Sequence, residues 1–178
     1  MRSASGPAFV LRDGRDMEER PIEVSTDHQC VLGLLTRRLA DAESRDAATL
    51  AGDALEALLR AGTFDRCCLP RYLALAPTRA EREVQLPIAT YGDVETRVLV
   101  WPEGSGDREH PHASGWTTFI LVTGQLVAVD AAPGDGTIAG PLRPRTAVVL
   151  QPQDRLRHRL RNAESDVAVS IHISGPRS

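Results

Sequence analysis

The chain has 178 residues, 42% hydrophobic and 25% charged, a balance that supports a folded core and excludes an intrinsically disordered chain. A formal net charge of -3 gives no electrostatic ground for a nucleic-acid partner or for an acidic membrane surface. The first twenty residues hold no apolar run of signal-peptide length, and no later stretch is long and apolar enough to span a bilayer. With only three cysteines, Cys30, Cys67 and Cys68, there is no disulfide framework either, so a reducing cytoplasm is the expected location.

Residues 1–24 read as a mobile arm, rich in small and charged side chains. From Ser25 to about Ala42 the pattern is helical: Thr26 and Gln29 have capping-box spacing, and Val31, Leu32, Leu34, Leu35 and Leu39 gather towards one face. A second helix is expected from Ser44 or Asp46. It carries Leu50, Ala54, Leu55, Leu58 and Leu59 and stops at Gly62. After about Arg82 the period changes to two. "ETRVLVW", "TTFILVTG", "LVAVDAA", "TAVVLQP", "LRHRLRN" and "VAVSIHIS" are short strands punctuated by Gly and Pro turns. The expected architecture is mainly β, a single domain over 25–178 with a helical preface (25–62) outside a sandwich or small barrel (82–176).

Strand alternation assigns the polar side chains to faces. In "DVAVSIHIS", Val167, Val169, Ile171 and Ile173 share one face and Ala168, Ser170, His172 and Ser174 the other. In "RLRHRLRN", Arg155, Arg157, Arg159 and Arg161 belong in water, which turns His158 inward with Leu156 and Leu160. His110 and His112 share a face if their segment is extended, and Pro111 between them suits a strand end or edge. Four of the five histidines therefore fall on faces compatible with one interior. A lone inward histidine is more often a hydrogen-bonded core residue than a ligand. An H-x-H pair with a distant inward histidine in a β body favours the metal reading, because two same-face imidazoles can chelate one ion.

These residues resemble a known pattern. Gly104, five residues, His110-Pro111-His112 and a strand reaching Gly124 resemble the first cupin motif, and "LRHRLRN" around His158 resembles the second. Trp101 nine residues before His110, "GQLV", "HRLRN" and "AVSIHISGP" together resemble the cysteine dioxygenase family of thiol dioxygenases, over roughly residues 28–176. The resemblance implies a cupin barrel, a double-stranded β-helix, with non-haem Fe(II) held by His110, His112 and His158. Thr117 stands where many cupins have a glutamate ligand. The resemblance further implies Ser170 and His172 as catalytic residues beside the iron-bound substrate and dioxygen. The expected reaction converts a small-molecule thiol and dioxygen into a sulfinic acid.

Departures from the family bear on the substrate. Thr117 and Ser174 occupy positions where many members carry a cysteine and a tyrosine, in some of them cross-linked. Ala74 stands at the position expected for the arginine that grips a substrate carboxylate, leaving Arg71, Arg82 or Arg97 as replacements. Trp116, next to Thr117, is the candidate aromatic wall of a substrate pocket that also includes Thr117, Ser174 and Arg97. These features predict that cysteine is a poor substrate and that a bulkier or differently charged thiol, such as ergothioneine or the smaller 3-mercaptopropionate, is preferred. Two rivals stay open: another cupin enzyme, for instance an isomerase or hydrolase, using the same histidines with Zn, Mn or Ni, and a non-catalytic cupin that binds a ligand or metal.

Overall fold

The computed structural model describes residues 26–41, 46–76, 82–107, 110–111, 115–130, 140–150 and 157–176; the expected arm over 1–24 lies outside them. The helices are α1 (Thr26–Ala40), α2 (Ala47–Arg60), α3 (Thr63–Cys67) and α4 (Leu69–Ala74). The strands are β1 (Val84–Tyr91), β2 (Val94–Trp101), β3 (His110–Pro111), β4 (Gly115–Thr123) and β5 (Val127–Asp130), then β6 (Gly140–Pro141), β7 (Ala147–Leu150), β8 (Arg157–Arg161) and β9 (Ala168–Pro176). Among the described residues, no helix is long and apolar enough to cross a membrane.

Two sheets form, in the orders β1-β2-β9-β4-β7 and β3-β8-β5-β6, with antiparallel neighbours throughout. From β2 to β5 and again from β6 to β9 each strand passes to the other sheet, and β8 and β9 return to lie between strands laid down early in the chain. This order is that of a double-stranded β-helix, or jelly roll, as expected. The helical segment runs past the expected stop at Gly62, through α3 and α4. Strand β1, not anticipated, takes an edge of the larger sheet, where Pro87 is tolerated; its register against β2 slips between Pro87 and Ala89.

Alternation along the five-stranded sheet builds two cores. Its outer face, with Val98, Val100, Ile120, Val122, Val169, Ile171 and Ile173, packs against Leu32 and Leu39 of α1 and Ala48, Ala51, Leu55 and Leu59 of α2. Its inner face, with Leu99, Trp101, Phe119, Leu121 and Ala168, packs against Ala128 and Leu160 of the smaller sheet. The helical stripes are narrower than the sequence suggests, since Val31, Leu34 and Leu50 are exposed. Helix α2 lies close to the sheet because Gly52 has no side chain; a Cβ there would stand 3.2 Å from that of Ala147.

One buried hydroxyl bond fixes each of these helices on the outer face. Thr36 Oγ1 donates to the Leu32 carbonyl at 2.6 Å, so the 2.7 Å contact between Thr36 and Thr96 uses the Thr96 proton, tying α1 to β2. Thr118 Oγ1 donates to the Ala48 carbonyl at 2.6 Å and ties α2 to β4. Burial of a leucine such as Leu55, fully enclosed, stabilises by about 2 kcal/mol.

Candidate functional site

The smaller sheet brings together positions far apart in sequence. His110 of β3 is the direct register partner of His158 of β8, and Asp130 of β5 is the partner of His158 on its other side. Leu160, two residues along β8, is fully buried in the inner core, whereas Arg159 and Arg161 are exposed, as the arginine stripe requires. Alternation therefore puts position 158 on the inner face. His112 lies outside the described residues, as do the side chains of His110 and His158.

The β3–β8 register is set by the segment before it. Asp107 receives the Leu160 amide on Oδ1 at 2.6 Å and returns its own amide to the Leu160 carbonyl at 3.1 Å. The Asn162 amide donates to the Ser105 carbonyl at 2.9 Å. The buried Asn162 side chain then reaches the carbonyls of Trp101, Pro102 and Asp166 through Nδ2, at 2.9, 3.2 and 2.7 Å, and accepts the Glu164 amide on Oδ1 at 3.1 Å. One asparagine thus joins the end of β2, the end of β8 and the turn into β9. Its sequence signal is its place in "HRLRN", but nothing there reveals which carbonyls it holds.

On the opposite wall, Ser170, His172 and Ser174 of β9 share the inner face with Phe119 and Thr117 of β4 and Arg97 of β2. Arg97 and Phe119 are the register partners of His172 on either side. His172 Nε2 lies 2.9 Å from Ser170 Oγ, which also receives the Trp101 indole at 2.8 Å. Phe119 stacks on the imidazole with centroids 5.0 Å apart and an interplanar angle of 11°. Thr117 and Ser174 are register partners joined by a hydroxyl contact of 3.1 Å.

Arg97 faces this wall with its fork already filled. Its Nε and Nη2 donate to the two Glu95 carboxylate oxygens at 2.7 and 2.6 Å, and Nη1 donates to Gln85 Oε1 at 3.1 Å. Gln85 Nε2 continues the chain to Glu83 Oε1 at 2.7 Å. The hydrogen bonds to Glu95 hold the guanidinium pKa above its ordinary value, against a smaller opposing effect of burial. Glu95 pairs with the guanidinium directly and Glu83 is linked to it only through Gln85, so this rim does not offer a free positive charge. Of the other arginines considered, Arg71 lies exposed on α4 and Arg82 is exposed just before β1.

Trp116 is where the structure corrects the sequence reading. Adjacent residues of a strand point to opposite faces, so Trp116 turns away from Thr117 into the helix-side core, 4% exposed. There it packs over Gly175, its register partner, where any Cβ would collide with the indole. It lines no pocket on the inner face. Trp101 is the tryptophan that reaches the inner polar residues, through Ser170.

No family model matches this chain, and no curated protein matches it. Among solved structures it is similar to several cupin-fold proteins. A protein with a double-stranded β-helix domain from Klebsiella pneumoniae is 15% identical, covering 59% of this chain and 86% of that one, with a TM-score of 0.48. An RmlC-like cupin from Methanocaldococcus jannaschii is 16% identical (57% and 87% covered, TM-score 0.44). A cupin domain from Bordetella pertussis is 14% identical (56% and 98% covered, TM-score 0.44). The fold assignment here stands on the strand order of the two sheets.

Proposed function

We propose that this chain is a non-haem Fe(II)-dependent thiol dioxygenase that adds both atoms of dioxygen to the sulfur of a small thiol, giving the sulfinic acid. The observation that carries the reading is the direct register pairing of His110 with His158 across β3 and β8. Directly opposed positions are the closest cross-strand neighbours of an antiparallel ladder, so two imidazole donors so placed can share one ion, with His112 as the third. Three neutral nitrogen donors suit iron and leave the negative charge to be supplied by the substrate thiolate. Iron bound there would activate dioxygen and hold the sulfur beside it.

The chain's own residues then have separate tasks. His172, held by Ser170 and Phe119, offers a hydrogen bond to the bound substrate or dioxygen. Ser174 leaves space where the family has a tyrosine, whereas Thr117 is no smaller than the cysteine it replaces. Arg97, neutralised by Glu95, does not grip a carboxylate, which supports a preference for thiols other than cysteine. The trimethylammonium group of a bulkier thiol such as ergothioneine suits a rim that carries the Glu83 and Glu95 carboxylates.

The test is metal analysis of the native protein together with oxygen uptake on cysteine, cysteamine, 3-mercaptopropionate, mercaptosuccinate and ergothioneine. About one iron per chain and thiol-dependent uptake yielding a sulfinic acid are expected, as one three-histidine site requires. Zn, Mn or Ni in place of iron with no uptake on any thiol would support the rival cupin enzymes. Absence of any metal would support a non-catalytic binding protein.

A further inference from the structure

We infer that Trp101 is a positioning residue that fixes the tautomer of His172 through Ser170, so that the neutral ring carries its proton on Nδ1 and acts as a hydrogen-bond donor. The argument is a count of protons. An indole N–H can only donate, so the 2.8 Å contact from Trp101 Nε1 makes Ser170 Oγ an acceptor there. Ser170 is fully buried and has one proton of its own. Its other partner is His172 Nε2 at 2.9 Å. If Nε2 also donated, the hydroxyl proton would be enclosed with no acceptor, which buried polar groups avoid. The hydroxyl therefore donates to Nε2. That nitrogen is then the unprotonated one, and the neutral imidazole keeps its hydrogen on Nδ1.

The surroundings make this assignment rigid. Trp101 is fully buried and cannot exchange its bond for one to water. Phe119 fixes the ring plane of His172 by stacking within 11° of parallel. At Nδ1 the neutral ring can then only donate. On the dioxygenase reading, on which this functional clause rests, the ring stabilises negative charge developing on the substrate or on oxygen and does not accept a proton from the thiol.

The tautomer is read by long-range proton–nitrogen NMR of the full-length protein, labelled at histidine and freed of metal with a chelator, at neutral pH. The wild type should show His172 as the Nδ1–H form. Trp101→Phe keeps an aromatic ring but removes the donor; Ser170 can then turn its proton elsewhere, and His172 should become a mixture with substantial Nε2–H. Ser170→Ala should do the same and covers the case in which Trp101→Phe does not fold. An Nε2–H ring in the wild type overturns the inference. So does an unchanged Nδ1–H ring in a folded Trp101→Phe protein. The measurement needs no turnover: a protein that oxidises no thiol yet shows the Nδ1–H ring removes the dioxygenase reading alone, and an active one with Nε2–H removes this inference alone. Where activity is present, Trp101→Phe should lower kcat about 10-fold with little change in KM, the effect usual for a group that orients another.

Discussion

Glu95 holds the Arg97 guanidinium with both carboxylate oxygens, and if the inner face takes thiols as proposed, this pair sets which of them bind. Glu95→Gln removes the ion pair and frees the fork. Affinity for carboxylate-bearing thiols such as cysteine and 3-mercaptopropionate should then rise about 3- to 10-fold, a modest gain because the pair is partly exposed. Steady-state KM values for thiols with and without a carboxylate check this, and equal changes in both classes would rule it out. His158→Ala should remove iron and activity together, while His172→Gln should keep iron and lower turnover about 10- to 100-fold. Metal analysis beside oxygen uptake separates the two outcomes. The polar residues of β9 are legible in the sequence because period-two alternation assigns them to a face. The partners of Arg97 are not: Gln85 and Glu95 reach it only through the β1–β2 pairing and a local turn of the side chains. Trp116 misleads for a different reason, since proximity to Thr117 along a strand means separation across the sheet.

Asn162 ties three segments together, so its loss should be felt beyond its own strand. Asn162→Ala leaves the carbonyls of Trp101, Pro102 and Asp166 without that donor in a buried place, and a cost of about 2–4 kcal/mol follows. Urea unfolding measures this. The same variant should bind iron more weakly than wild type, because the Asn162 side chain holds the Trp101 and Pro102 carbonyls at the start of the segment whose residues 105–107 bond to the β8 end. Among the helices, Leu55→Ala empties a fully enclosed site under the larger sheet and should cost about 2–5 kcal/mol, with iron content unchanged in the folded fraction. Helices α1 and α2 are legible because their apolar residues recur at helical spacing and Gly62, at φ 68°, stops the second. Strand β1 is hidden by Pro87, which interrupts its alternation and is allowed only because the strand forms an edge. Nothing local in "HP" marks β3 as a strand; its pairing is imposed by the contacts of residues 105–107 with β8.

Packing of the helical layer also sets how the folded chain responds to alkali. Tyr72 on α4 is 1% exposed and stacks on Phe64 of α3 at 5.8 Å. Burial, and then the neighbouring Cys68 thiol, push its phenol pKa well above the ordinary value. Below about pH 10 both folded and unfolded phenols keep their protons and the group adds no pH dependence. Above it the unfolded phenol ionises while the buried one does not, so stability falls with rising pH, by up to about 1.4 kcal/mol per unit. Unfolding measured from pH 8 to 11 should show this fall, and Tyr72→Phe should flatten it. A different consequence follows from β9, the central strand whose two faces serve the two cores. Val169, Ile171 and Ile173 belong to the helix-side core, while Ser170, His172 and Ser174 line the inner face. A substitution scan along this strand should therefore give two interleaved phenotypes, with losses of solubility and yield at odd positions and losses of turnover in well-folded protein at even ones. Variation at His172 and Ser174 leaves the helix-side core untouched, but a single inserted or deleted residue within the strand would exchange the two sets and forfeit both at once.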